Sequence, residues 1–538
     1  MRLSGNKLTE VSFPVGGIGA GCIGISGTAR LDDWEIFNCA GKNRRNGCSH
    51  FAIRAEKDGA VIGARMLNSD LEHGLIGNFE GKEAMFSGFG WGPASDTMAG
   101  FPHFRKCTLN GEFPVAEFAF EEASFPAEAS LAAWSPFVPG RSDISSLPAA
   151  IFELGVKNTS AETLAFTGIC VLENPWRNPE ALNRFEKEGR ISRIVLANNL
   201  DGQDFDAGEL CVSTDELDVS YQEYFYFQGW KDYLEVYGRD LLTPGHFANR
   251  KAPASASARR IALLASHVSL ASGESGTMRF VLSWYIPCRK NTWDAEATLA
   301  KLMAESGIKE NRWRNYYAKL CASAADAASR ILAEYGDLRR QVFTFRDALH
   351  SSTLPKACLE GAAENLSVLV SPTCLRCEDG TFWGWEGVGV QKGSCSGSCQ
   401  HVWNYAQALS LLFPDLERSM RQAHFKYGMD TAGGLHFWLM LPLGIKAKPD
   451  WFRPCVDGAF GEVMKTYREW KISGDDEWMK SLWPKVKKTV EFAWSPENQD
   501  KWDPGRTGIL TGRQHHTLDM ELFGPSGWLN GHYLVSAD

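Results

Sequence analysis

Two stretches place single carboxylates among glycines and aromatic rings. The first is Trp383-Gly-Trp385-Glu386-Gly387, and the second is Gln514-His-His-Thr517-Leu-Asp519-Met-Glu-Leu-Phe-Gly-Pro525. Glu386 is read as an acid on a loop between helices, partly desolvated and approachable over the glycines. Asp519 has polar residues on one side and Met520, Leu522 and Phe523 on the other. Apolar surroundings raise a carboxyl pKa, so an enclosed Asp519 is expected to hold a proton as a general acid must. Two carboxyls in different environments are the equipment for cleaving a glycosidic bond.

Other constellations compete with this pair. Cys374-Leu-Arg-Cys377 and Cys395-Ser-Gly-Ser-Cys399, with His401 just beyond, fall within the spacing of a zinc site. The long Gly- and Trp-rich spacer between the pairs is unlike a zinc ribbon, so free thiols stand beside zinc as the reading. Gly393-Ser-Cys-Ser-Gly397 is close to a serine nucleophile elbow but has no strand before it and no helix straight after. Gly19-Ala-Gly-Cys-Ile-Gly24 satisfies the dinucleotide fingerprint, yet no helical spacing follows it. Glycines in a β-rich stretch mark turns, bulges or close backbone approach instead.

The elements that must position these groups change character along the chain. Residues 150–174 and 259–287 each offer two strand-like runs joined by a polar connection, NTSAET and SGESG. Such runs predict an antiparallel β-sandwich over 1–290. From Thr292 to Tyr335 an Ala-rich pattern predicts one or two connecting helices, giving a helical linker over 291–350. Helical periodicity recurs at 352–371, 401–412, 416–428, 461–470 and 475–494, so 351–538 is an α-helical second domain. Ser473-Gly-Asp-Asp476 resembles a capping box that would open the last of these helices.

The totals exclude several classes. A chain of 538 residues should hold two or more folding units. A net charge of −9 argues against nucleic acid as a partner. The opening MRLSGNKLTEVSFP lacks an apolar signal region, and no run of about 18 apolar residues offers a transmembrane segment. Fourteen scattered cysteines in so long a chain fit reduced thiols and a cytoplasmic protein. Nineteen tryptophans are compatible with a sugar site, although core packing explains most aromatic residues.

Taken in order, FPVGGIGAGCIGISG with DDWEIFN, FVLSWYIP, NYYAKL, the FWGWEG loop, ALSLLFPDLERSM, DGAFGEVMKTYREW and HTLDMELFGP resemble glycoside hydrolase family 116. That family includes non-lysosomal glucosylceramidases and prokaryotic β-glucosidases. The resemblance implies an N-terminal β-sandwich whose glycine-rich loop lies towards the active site of a C-terminal (α/α)₆ toroid. It implies a retaining β-glycosidase acting on a small-molecule glycoside without metal or other cofactor. Glu386 takes the nucleophile's place, Asp519 that of the acid/base, and Thr517 that of a sugar contact; Trp385, His401 and His516 complete the expected substrate-binding set.

The chain also departs from the family. Where many members carry a Tyr-Asn-Thr-x-Asp segment, it has GSCSGSCQHVWNY, with Gln400 or His401 near the Asp position. Substrate preference is therefore open among β-glucosides, glucosylceramide-like or otherwise. A twelve-helix toroid needs more than the ~190 residues after Ser351, at about 11–12 residues per helix. The expectation is an incomplete toroid in a C-terminally truncated chain, which bears on activity. The competing readings are a catalytically silent carbohydrate-binding protein, an inverting hydrolase or phosphorylase on the same architecture, and a zinc-stabilised structural protein. Oligomeric state is not legible.

Overall fold

The computed structural model describes residues 1–37, 39–70, 95–225, 233–251, 260–390, 392–395, 397–446 and 453–538. They divide into two compact units. The first comprises residues 1–138, 143–287 and 317–371, the second residues 139–142, 288–316 and 372–538.

Period-two patterning builds the first unit. In Ala127–Trp134, AEASLAAW, the alanines and Leu131 are largely buried while Glu128 and Ser130 are exposed, as one core-facing side of a strand requires. Nine strands form one antiparallel sheet, in the order Arg2–Ser4, Lys106–Glu112, Val115–Glu121, Ala127–Trp134, Ala149–Asn158, Ser275–Tyr285, Glu209–Thr214, Ile191–Ala197 and Leu182–Glu188. Six form a second, in the order Val219–Gln222, Ile261–Leu270, Leu164–Glu173, His50–Lys57, Ala60–Ser69 and His103–Phe104. Its last pairing is parallel and the rest are antiparallel. Phe152, Phe280 and Leu282 of the first sheet and Phe51, Phe166 and Leu264 of the second belong to one buried cluster.

The two strand pairs anticipated at 150–174 and 259–287 are both present, and each sends one strand to each sheet. The arches stack, with Ala149 opposite Ser283 in one sheet and Leu164 opposite Leu270 in the other. Buried Asn158 joins them. Its amide donates to the Glu162 and Leu270 carbonyls, and its side-chain oxygen accepts from Ser160 N–H.

The N-terminal glycines serve a hairpin. Ser12–Gly17 pairs with Gly21–Ser26, and a strand at Leu31–Glu35 follows where a dinucleotide site would need a helix. Gly19 and Gly21 take positive φ in the turn. Gly17 lies so close to the backbone at Leu147 that a Cβ would overlap its carbonyl oxygen. The Ala-rich region is only partly helical. Helices form at Glu296–Ser306, Ala324–Ala333 and Tyr335–His350, while Trp313–Arg314 is extended.

The second unit is helix-rich, with helices at Glu296–Ser306, Pro414–Ala423, Val456–Ser473, Asp476–Glu491 and Gly527–Ala537. Phe460, Trp478, Leu482, Val486, Phe492, Trp502, Leu529 and Tyr533 bring the last three into one core. The segment 401–412 breaks into Gln400–Trp403 and Ala408–Leu412. The anticipated capping box at 473–476 does not form. Gly474 takes the left-handed position that ends the preceding helix, and Asp475 caps the next by accepting from Trp478 N–H at 2.9 Å. Among the described residues no helix is long and apolar enough to cross a membrane.

A buried ionic cluster ties two of these helices together. Arg421 meets Glu417, Glu462 and Glu469, while Lys465 pairs with Glu462 and Arg468 with Glu417 and Glu469. His424 Nδ1 lies 3.1 Å from Glu462. Burial pushes the Glu469 carboxyl up to about 7 against the opposing pull of Arg421.

The ionic cluster and the close-packed glycine each set a measurable stability effect. A folded-state pKa above the unfolded value makes the native state bind the proton more tightly. The Glu469 contribution is thus complete below roughly pH 4.5 and is lost as pH rises through about 7. Denaturant titrations between those values should show wild-type stability falling with pH by an amount on the order of a few kcal/mol, and Glu469→Gln should flatten that slope. Gly17→Ala should cost roughly 1–3 kcal/mol by forcing apart the hairpin and the 146–147 backbone. Gly336→Ala, where a Cβ meets nothing within 4 Å, should leave the melting temperature unchanged or slightly raised.

Candidate functional site

Tryptophan rings packed closely against glycines hold the Glu386 loop. A short hairpin, Cys374–Arg376 with Phe382–Gly384, leads directly into Trp385 and Glu386. A Cβ on Gly384 would overlap Trp403, one on Gly393 would overlap Trp385, and one on Gly397 would overlap Trp383. The Gly393-Ser-Cys-Ser-Gly397 stretch therefore has a packing purpose, although Ser396 itself lies outside the described residues. Backbone bonds complete the loop: Glu386 N–H donates to Ser394 O, Ser394 N–H to Gly387 O, and Leu439 N–H to Gly397 O. Trp385 is only 5% exposed, and its ring packs 4.7 Å from Trp293 and 4.8 Å from Trp383. Its faces are taken up by protein.

Glu386 is not buried, and its carboxylate lies within 4.8 Å of the Cys399 sulfur and a His401 ring nitrogen. Burial, reinforced by Glu386, pushes both thiols above the ordinary cysteine range. His401 is 2% exposed and packs 5.1 Å from the Phe437 ring. Burial, with His515 nearby, lowers it to about 4, so the imidazole is neutral at pH 7. Among the described residues His401 Nδ1 has no hydrogen-bond partner, nor do the amide atoms of buried Gln400 beside it.

Asp519 sits at the tip of a second hairpin, Arg513–His516 with Met520–Phe523. His516 opposes Met520, which leaves a three-residue loop whose last residue must turn left-handed. Asp519 fills that position at φ 54°, a region Asp and Asn enter more readily than most residues. Three contacts fix the turn: Asp519 N–H donates to His516 O, Leu518 N–H to His516 Nδ1, and Thr517 N–H to Asp457 Oδ2 at 3.2 Å. Because His516 Nδ1 accepts, its proton resides on Nε2. The imidazole is buried, edge-on to Trp528 at 4.9 Å, and burial lowers its pKa.

The apolar enclosure expected around Asp519 is not formed by the described residues. Asp519 is exposed, as are Met520 and Phe523, the latter at 72%. A two-stranded ribbon cannot bury its own tip.

The two carboxylates nevertheless converge from distant stretches. Glu386 and Asp519 both act electrostatically on the Cys395 thiol, and Asp519, His515 and His516 all act on His401. The expected residues Glu386, Asp519, Thr517, His401 and His516 are thus gathered in one region of the second unit. Trp385 stands beneath it as a packed support. Cys374 and Cys377 are buried on their hairpin and take no part. Among the described residues no cysteine forms a disulfide, and the one group spaced for a metal ion is Glu386, Cys399 and His401.

Sequence reasoning missed Asp457. Its carboxylate is fully buried at the start of helix Val456–Ser473, where it accepts from Thr517 and Gly458 N–H, and burial raises its pKa. The available signal was Gly458 and Gly461, two glycines inside one helix. They admit Gln400 and Asn404, and a Cβ on Gly461 would overlap the Asn404 amide.

No curated protein matches this sequence. Among solved structures, a kojibiose phosphorylase from human microbiome is similar at 12% identity and a TM-score of 0.39. A family GH92 α-mannosidase from Bacteroides thetaiotaomicron is similar at 9% identity and a TM-score of 0.31. The matches cover 92% and 89% of this chain but only 59% and 54% of those chains, and at such scores they carry no argument. The sequence also matches, over residues 12–338, the family described as beta-glucosidase 2, glycosyl-hydrolase family 116 N-term. That match spans more than half of the chain and most of the first unit, so the chain belongs to glycosyl-hydrolase family 116.

Proposed function

We propose that the protein is a retaining β-glycosidase acting on β-glucosides, with Glu386 as nucleophile and Asp519 as acid/base. The observation that carries the reading is that Glu386 lies within 4.8 Å of Cys399 and His401, and that the His401 ring is 6.2 Å from the ring of His515 on the Asp519 hairpin. Family membership supports glycoside hydrolysis as the reaction class. In this reading the first unit is the family's β-sandwich and the second contributes helices of an (α/α)₆ toroid.

Asp519 protonates the glycosidic oxygen while Glu386 attacks the anomeric carbon, giving a glycosyl-enzyme and a free aglycone. Asp519 then removes a proton from water, which displaces Glu386 and restores the β-configuration. Thr517, His401 and His516 border the sugar. Asp457 acts as a positioning residue, since its bond to Thr517 N–H sets the turn that presents Asp519. The cysteines, none of them in a disulfide, suit a reducing, cytoplasmic setting.

A mechanism-based β-glucosyl inactivator should label Glu386, identified by peptide mass mapping; a folded protein left unlabelled would sink the reading. Asp519→Asn should lose roughly 10²–10⁴-fold in rate on glucosides with poor leaving groups. It should retain the first step on activated aryl glucosides and regain turnover with azide; equal loss on both substrate types would remove Asp519 from the acid role. Asp457→Ala should lower kcat by up to about 10²-fold through misplacement of the turn, with the larger effect again on poor leaving groups.

A further inference from the structure

We infer that Glu386, Cys399 and His401 bind a divalent cation of borderline softness, Zn²⁺ above all, and that the loaded site is an off-state of the enzyme. One carboxylate oxygen, the Cys399 sulfur and one His401 ring nitrogen lie within 4.8 Å of one another. Zinc bonds of about 2.0–2.3 Å set tetrahedral donors roughly 3.5 Å apart, so closure needs a movement of about an ångström. Glu386, unburied on its loop, can make that movement.

A second observation points to a ligand. His401 is almost wholly buried, yet its Nδ1 has no hydrogen-bond partner among the described residues, although buried polar groups are normally paired. The donor set selects the metal. A thiol and an imidazole disfavour Mg²⁺ and Ca²⁺, which take oxygen, and suit zinc, which takes nitrogen, sulfur and oxygen together. On binding, Cys399 gives its proton to solvent, and Zn²⁺ with one thiolate and one carboxylate is then neutral. Three protein donors leave a fourth position open, as a zinc ion that still takes water or another ligand requires.

The binding half stands on geometry alone; the off-state rests on the function proposed above. A carboxylate engaged by zinc has lost the electron pair it needs to attack an anomeric carbon.

The experiment titrates the reduced, chelator-stripped full chain with Zn²⁺ against a chromophoric competitor. One equivalent should bind, and Cys399→Ser and His401→Gln should each weaken it at least 100-fold. Cys358→Ser, which removes an exposed thiol elsewhere, should leave it unchanged. Sub-stoichiometric binding, or full affinity in Cys399→Ser, overturns the site. Co²⁺ added to the wild-type protein should give a thiolate charge-transfer band; its absence overturns the site without relying on any variant. Zn²⁺ should block inactivator labelling of Glu386 and a chelator should restore it. Labelling unaffected by bound zinc overturns the off-state. A metal-free protein that is never labelled refutes the glycosidase reading while the titration still decides the site.

Discussion

The seating of tryptophan rings on bare backbone is the constraint from which the Glu386 loop follows. An indole packed against a glycine occupies the space a Cβ would take, so any side chain at that position is excluded. Three such pairings lie between residues 383 and 403: Trp403 on Gly384, Trp385 on Gly393 and Trp383 on Gly397. They fix where the chain leaves the Cys374–Gly384 hairpin and where it returns past Cys395, and so where Glu386 and the two thiols meet. Irregular loops are ordinarily the softest parts of a fold. Here large rigid rings take the place of secondary structure as scaffold.

A different device holds the opposing carboxylate. The Asp519 hairpin is short and exposed at its tip, and its position is set by polar contacts to Asp457 and His516. Desolvated hydrogen bonds to a carboxylate are among the stronger ones available to a protein. Asp457 also ties the turn to the start of helix Val456–Ser473, which packs on helices Asp476–Glu491 and Gly527–Ala537 around Phe460 and Tyr533. The two halves of the site are therefore built by unlike physics, apolar packing on one side and a buried acceptor on the other.

Much of this was legible from residue order. The arches of the first unit are announced by apolar runs around NTSAET and SGESG, because a strand changing sheets needs a polar connection to satisfy its backbone. What the pattern did not reveal is that each pair of runs divides between two sheets, a property of the long-range partners Ala149–Ser283 and Leu164–Leu270. Glu386 and Asp519 were singled out as candidates because their neighbours are unusual. Asp457 was not, because an acid at a helix start looks like any other first-turn acid. The supposed cap at Ser473 misled because one glycine ends a helix as readily as its neighbour begins the next. Trp385 shows the limit of reading aromatic residues for sugar binding: its ring is spent on the loop.

The left-handed backbone at Asp519 reaches beyond the present chain to the substitutions its lineage can explore. In the mechanism proposed above, glutamate would keep the acid/base chemistry but strain the backbone, so the most conservative chemical replacement is a poor structural one. Asparagine and glycine suit the conformation best, and neither can deliver a proton. Drift at this position is thus channelled towards folded proteins without an acid. A lineage that has shed its reaction can leave every other contact of the hairpin in place, so the identity of this one residue says more about retained activity than the integrity of the fold around it.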